Sequence, residues 1–298
     1  MVRGMENEPV GIIAGGGQFP RLVAETVRKS GGRAVVCGFH GHTDPDLRAA
    51  ADVFCLLRLG QFNRVLAFFR RQGVRRVCMA GAINKPRALD FRPDLRALRI
   101  VFSLRRKGDD ALLRAIIEDF EREGFTVVPA SEFAPSLRCP AGRLSRRPPD
   151  EEEWRDIRFG WPVGASLGRF DIGQCLVVKQ GMVVAVECLE GTDAALRRGG
   201  ELGGAGCVAL KMAKPGQDER ADLPSVGLET IRRLVEGKHR CLAVEAEKTL
   251  FFDMEAALAL ADRHDLAVVA LRPEEVNGTP DGTPAAGSDR AGILEDCG

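Results

Sequence analysis

The sequence predicts an α/β protein of two domains. Three observations lead there. Short apolar strand-like runs alternate with helical spacing through the first half, a Pro-, Arg- and acid-rich stretch interrupts that texture, and a second set of strands and helices follows it. At 298 residues the chain has room for two cores.

The first unit, residues 1–134, opens with an apolar strand at 10–14 that ends on Gly15-Gly16-Gly17. A helix at 19–28 follows through Leu22, Val23, Thr26 and Val27. Further strands are expected at 33–38, 53–57, 74–80 and 125–128, with helices at 62–71, 93–105 and 109–123 between them. Apolar strands separated by helices imply a parallel sheet covered on both faces, a Rossmann-like arrangement. Residues 135–168 read as a linker with one helical stretch, docked through Trp154, Ile157 and Phe159.

The second unit, 169–273, begins with a hairpin, 174–178 and 182–187, turning at Lys179-Gln180-Gly181. Helices at 193–198, 228–236 and 253–263 alternate with strands at 207–212, 241–246 and 266–271, giving a mixed α/β domain. A ligand cleft is expected between the two domains. Residues 274–298 are too rich in Gly, Pro and small polar residues to pack, so a disordered tail is expected.

Charge and cysteine content exclude several classes. The chain carries 43 basic and 42 acidic residues, a formal charge of +1, so no global field draws it to nucleic acid. Nine cysteines without a CxxC pair read as reduced core residues, not a zinc or disulfide framework. No apolar run approaches the roughly 20 residues of a membrane span, and no secretory layout opens the chain, so a cytoplasmic protein is expected.

The most informative stretch is the loop from Lys214 to Gly227. Asp218 and Asp222 suit a hard divalent cation, Lys214 and Arg220 suit phosphate oxygens, and Pro215 and Pro224 restrain the loop. Those residue types suggest hydrolysis at a phosphate, against the alternative of a charged surface connection. Gly15, Gly16 and Gly17 with Pro20 sit at a strand-to-helix turn, where glycines permit either an anion contact or a tight turn. The spacing is not GxGxxG, and Cys37-Gly38 stands where a dinucleotide would require an acid, so NAD binding is not expected. Asn84 and Lys85 follow another strand end and could face the same crevice.

Two other groups leave alternatives open. His40 and His42, with Asp44, have metal-ligand spacing but lie in a polar loop without a further nearby histidine. Glu187, Glu190, Thr192 and Asp193 read equally as a capped helix start or as a site approaching the Asp218 loop.

Taken together, Gly11 to Pro20, Gly81-Ala82-Ile83-Asn84-Lys85-Pro86, Val186-Glu187 with Glu190-Gly191-Thr192-Asp193, and the Lys214 to Gly227 loop resemble the UDP-2,3-diacylglucosamine pyrophosphatase family of lipid A biosynthesis, the LpxI type. The order and spacing of four motifs make the resemblance specific. It implies an Mg²⁺-dependent hydrolase that splits UDP-2,3-diacylglucosamine into UMP and 2,3-diacylglucosamine 1-phosphate (lipid X). It also implies a homodimer with transient contact at the inner-membrane surface. On this reading Asp218 and Asp222, joined by Asp193, hold Mg²⁺ or position the attacking water. Lys214 and Arg220 stabilise phosphate charge, while Gly15, Gly16, Gly17, Pro20, Lys85, Thr192 and Gln217 bind substrate. A non-catalytic nucleotide-sugar or lipid-binding protein on the same scaffold is the alternative.

Overall fold

A computed structural model of the chain describes residues 7–83, 93–104, 109–221 and 223–276. Asn84, Lys85, Asp222 and most of the expected tail therefore lie outside the described residues.

The first domain is a five-stranded sheet built from β1 (Pro9–Ala14), β2 (Arg33–Phe39), β3 (Val53–Leu57), β4 (Arg76–Ala80) and β5 (Thr126–Val127). All four pairings are parallel, in the order β3-β2-β1-β4-β5. The chain runs outward in one direction from β1 and in the other from β4, so the crevice between their carboxyl ends is the topological switch point of the sheet.

Strand alternation sorts the side chains into two cores. Val10, Ile12, Ala34 and Val36 meet Val23, Ala24 and Val27 of α1 (Phe19–Lys29) on one face. Val35, Cys37 and Val77 meet Phe69 of α2 (Phe62–Arg71) on the other, together with Ile117 and Phe120 of the second helix there. That helix is α4 (Asp109–Arg122), and α3 (Leu95–Ser103) precedes it. The six-residue alternation is the period-2 signal of a sheet buried on both sides.

The second domain has a six-stranded mixed sheet in the order β6-β13-β11-β9-β7-β8. Its central strands β9 (Val208–Lys211), β11 (Cys241–Glu245) and β13 (Ala267–Leu271) are parallel. The hairpin β7 (Cys175–Lys179) and β8 (Met182–Val186) adds antiparallel strands at one side, and β6 (Gly142–Arg143) adds one at the other. A short parallel pair, β10 (Ser225–Val226) with β12 (Leu250–Phe251), stands beyond the main sheet and was not anticipated from the sequence. Two residues per strand are too few to show a period.

Residues 135–168, expected as a docked linker, are built into the second domain. They contribute β6 to the sheet edge and most of α5 (Glu151–Arg169), which covers one sheet face through Ile157 and Trp161 against Leu176, Val208 and Leu210. Glycines let α5 lie close. A Cβ at Gly160 would come within 2.9 Å of Leu210 and Val178, and one at Gly164 within 2.8 Å of Met212. At Gly168 a Cβ would meet Pro215 at 2.8 Å, so the last turn of α5 abuts the Lys214 loop.

Buried charge fixes α5 in place. Both oxygens of Asp156 accept backbone N–H groups of the hairpin turn, from Gln180 at 2.9 Å and Gly181 at 2.7 Å. Arg147 makes a two-point contact with Glu153 at 2.7 and 2.9 Å. The one helical stretch expected within residues 135–168 is this helix, which runs past Pro162 to Arg169.

The opposite face is covered by α6 (Thr192–Gly203), α7 (Leu228–Glu236) and α8 (Met254–Arg263), with Leu196, Ile231 and Ala257 against Val177, Ala209 and Val244. The helix expected at 193–198 runs five residues further, to Gly203. Its glycines pack closely and do not end it: a Cβ on Gly199 would strike Val177 at 2.6 Å.

Asp150 caps α5 by accepting the Glu153 N–H while Glu153 accepts the Asp150 N–H, a reciprocal capping box. Asp150→Ala should lower stability by about 1 kcal/mol, measured by urea denaturation. An unchanged midpoint would show that α5 adds nothing through its cap.

Candidate functional site

The carboxyl ends of the two sheets face each other. From the first domain come the turn after β1 and the turn after β4, and glycine lets them interlock. Gly15 and Gly16 donate their N–H groups to the carbonyls of Ala80 and Ala82 at 2.8 and 2.7 Å. A Cβ on Gly81, whose φ is +84°, would fall 2.3 Å from the Gly16 carbonyl. Two of the N–H groups expected to grip an anion are thus engaged within the domain.

Pro20 packs against Gly81 and closes the same junction. The Thr43 hydroxyl donates to the Ala14 carbonyl at 2.6 Å and accepts the Phe39 N–H at 2.8 Å, pinning the loop that carries His40 and His42 beside the glycine turn.

Across from this turn, Asp253 stands between β12 and the start of α8. Gln18 donates to Asp253 at 3.0 Å, and the rings of Phe19 and Phe252 meet edge to face at 5.6 Å. A cavity of about 320 Å³ lies behind these contacts. Gly16, Gly17 and Met79 line it from the first domain, and Glu219, Leu223 and Ser225 from the second.

The Lys214 loop meets the first domain through charge. Lys214 is held by Asp171 at 2.5 Å and by Asp110 of α4 at 3.1 Å. Burial opposes its charge, yet these two carboxylates outweigh it and raise its pKa. Arg220 engages both oxygens of Asp218, at 2.9 and 2.6 Å, and reaches Glu121 of α4 at 2.6 Å. The Arg220 hydrogen bonds hold the Asp218 carboxyl below its ordinary value against the opposing effect of burial. Arg114 donates to the Gly216 carbonyl at 3.3 Å, and Arg138 pairs with Glu219 at 2.8 Å. Gln217 accepts from Gln174 at 2.8 Å and from the Lys214 N–H at 3.0 Å, and its buried Nε2 has no partner.

A second polar group lies at the ends of β8, β9 and β11. Thr192 is not the cap of α6. Gly191, with φ +82°, takes the capping position, and Thr192 is the first helical residue. Its hydroxyl donates to Glu187 at 2.9 Å and accepts from Lys211 at 2.9 Å. Glu245 is buried, accepts the Ala213 N–H at 2.9 Å and pairs with Lys248 at 2.9 Å. Lys211 and Glu245 were missed in the sequence although each stands out there: both are charged residues at the end of an otherwise apolar run.

The expected ligand set is divided. Asp218 faces Arg220, while Asp193 lies on α6 with Arg233 at 3.9 Å. Among the described residues no group of three His, Cys, Asp or Glu side chains is placed to hold a metal ion. All eight described cysteines are free, and burial pushes Cys78, Cys139 and Cys175 up to about 12, as suits inert core thiols.

Fold and site define a two-domain α/β protein in which the turns at the switch point of a parallel sheet share a cavity with the loop that follows β9 of a mixed sheet. Within that class the chain belongs to the LpxI family. Residues 9–137 match the LpxI N-terminal domain and residues 140–269 the LpxI C-terminal domain. UDP-2,3-diacylglucosamine pyrophosphatase LpxI of Caulobacter vibrioides is 38% identical over 280 residues, which cover 89% of this chain and 98% of that protein. Among solved structures, N5-carboxyaminoimidazole synthetase from Staphylococcus aureus complexed with ADP aligns with 60% of this chain and 41% of its own. Its TM-score of 0.23 and 13% identity carry no comparison of fold or ligand.

Because the Asp218 pKa is depressed in the folded state, the pair with Arg220 stabilises the protein above the unfolded value of about 3.9. That contribution is lost as pH falls through the depressed value. The destabilisation caused by Asp218→Asn should therefore be present at neutral pH and shrink below about pH 3.9. Urea denaturation of both proteins across that range measures it, and a difference independent of pH would remove the pair's role.

Proposed function

We propose that this chain hydrolyses the pyrophosphate bond of UDP-2,3-diacylglucosamine to UMP and 2,3-diacylglucosamine 1-phosphate, a step of lipid A biosynthesis. One observation carries the reading: both domains match the LpxI family, and the chain aligns with nearly the whole of a relative named for that activity.

The geometry supports it physically. A pyrophosphate brings at least two negative charges, and α6, α7 and α8 all begin at the carboxyl edge of the second sheet, where helix N-termini favour anions. The cavity at the switch point would take another part of the substrate, with Gly17 and the Phe19–Phe252 pair as its walls. The unpartnered Nε2 of Gln217 offers a donor for a phosphate oxygen. Asp218 and Asp222 would direct the attacking water, and Lys214 and Arg220, both carried on the same loop, would balance charge as the P–O bond breaks. Lys85 would grip substrate beside the glycine turn.

Dependence on Mg²⁺ belongs to the proposal. Carboxylates suit that cation, but Asp218 would have to leave Arg220 to join Asp222 and Asp193. Contact with the inner-membrane surface is part of it as well. No helix among the described residues is long and apolar enough to cross a membrane. Instead Leu95, Phe102 and Phe170 are about four-fifths exposed, and Phe170 and Leu104 border a depression of about 590 Å³ beside Gly216. Flotation with anionic vesicles, lost on Phe102→Asp with Phe170→Asp, checks the contact; the sedimentation mass checks a homodimer.

Asp218→Ala and Asp222→Ala should each cut UMP release by at least about 100-fold, the scale of losing a group that acts on the transition state. Chelation should abolish turnover, and added Mg²⁺ should restore it. Full turnover in both variants would overturn their roles, and turnover that persists in chelator would remove the metal. Tight binding of the nucleotide sugar without any UMP release from the parent protein would favour the non-catalytic alternative.

A further inference from the structure

Lys211 occupies a position that the fold reserves for an apolar residue. In β9 it stands opposite Cys175 of β7 and Val244 of β11, on the same sheet face as Ala209, where those neighbours belong to the core under α6. Only 7% of its surface is exposed. Removing an ammonium from water costs several kcal/mol even after relaxation, and such a charge is ordinarily paired with a carboxylate. Lys211 has no ion pair among the described residues. Its Nζ donates to the hydroxyl of Thr192 at 2.9 Å, and an ammonium has three protons to give.

The partners of this lysine are themselves fixed. The Thr192 hydroxyl can donate only one proton, and it gives it to Glu187 at 2.9 Å. Its lone pair is thereby turned toward Lys211. The other oxygen of Glu187, Oε2, is buried without a partner. A chain Lys211–Thr192–Glu187 thus holds the ammonium at the carboxyl edge of the central strand, beside the start of α6, with donor capacity unspent.

The other two lysine and arginine side chains of the neighbouring loop differ in this respect. Lys214 faces Asp110 and Asp171, and Arg220 faces Asp218 and Glu121. Each of those two cations is paired directly with two carboxylates in the structure, whereas Lys211 meets a carboxylate only through the Thr192 hydroxyl.

We propose that Lys211 is a phosphate-binding residue of the hydrolytic site, and that Thr192 and Glu187 are the positioning residues that aim it. The proposal rests on the pyrophosphatase reading and deepens it. Lys211 contacts a non-bridging phosphate oxygen of the nucleotide sugar, and its charge strengthens that contact as negative charge develops during P–O cleavage. No proton or covalent bond is exchanged with it.

The test compares turnover of UDP-2,3-diacylglucosamine, and competitive inhibition by UMP and by inorganic pyrophosphate, in the full chain and in three variants. Lys211→Met keeps the apolar stem and removes the charge; it should lower kcat/KM by at least about 100-fold and weaken inhibition by pyrophosphate. Lys211→Arg should recover part of that loss. Thr192→Val should lower kcat/KM about tenfold and weaken inhibition by pyrophosphate. A purely structural lysine would shift melting and leave anion inhibition intact.

Turnover and pyrophosphate inhibition of Lys211→Met within threefold of the parent would overturn the proposal. If Lys211→Met does not fold, parent-like turnover in a folded Thr192→Val overturns it instead. A parent protein that releases no UMP would sink the pyrophosphatase reading itself, whereas an active parent with an equally active Lys211→Met sinks the lysine alone.

Discussion

The centre of this molecule depends on how the loop after β9 is tied to α4. Lys214 and Arg220 each bridge a carboxylate of α4 and a carboxylate of their own domain, so the loop belongs electrostatically to both halves. Exposed ion pairs contribute little one by one. Here four of them, with a fifth from Arg138 to Glu219 and with Arg114 on the Gly216 carbonyl, converge on seven residues, and their joint effect is geometric. They set where Gln217, Asp218 and Leu223 stand relative to the glycine turn. Packing of Phe19 on Phe252 and the bond from Gln18 to Asp253 then close the junction from its other end.

That arrangement separates two jobs that residue type alone would merge. Basic side chains near a phosphate site can hold the protein together or can hold the ligand. The glycines divide likewise. Gly15, Gly16 and Gly81 permit two backbones to cross at close distances, and the amides of Gly15 and Gly16 are used in doing so. Gly17, with a positive φ and open space around it, lines the cavity beside Gly16.

Most of the fold was legible because its signals are local. The short apolar runs of β1, β2 and β9 and the helical spacing of α1, α2 and α7 appear in windows of ten residues, and the structure reproduces α2 and α7 at the same bounds. What stayed hidden depends on distant partners. Asp156 and Arg147 look like residues of a solvated linker until the hairpin turn and Glu153 come to meet them. The pair β10 and β12 exists only because residues 25 apart in sequence align, Ser225 with Leu250. In the site, the motif residues around Gly15 and Lys214 were visible by composition. Which carboxylate would neutralise which cation was not, since Asp110, Glu121 and Asp171 lie 43 to 104 positions from their partners.

The glycines of α5 give the helix a further meaning. Gly160 and Gly164 set its distance from the sheet, and Gly168, one turn on, sets its distance from Pro215 and Lys214. One rigid rod therefore gauges two gaps at once. A methyl group at either of the first two positions would lift the helix from β7 and β9, and the same displacement would carry its far end away from the loop. Core thickness in the second domain and the placement of the residues facing α4 are, through that rod, a single dimension.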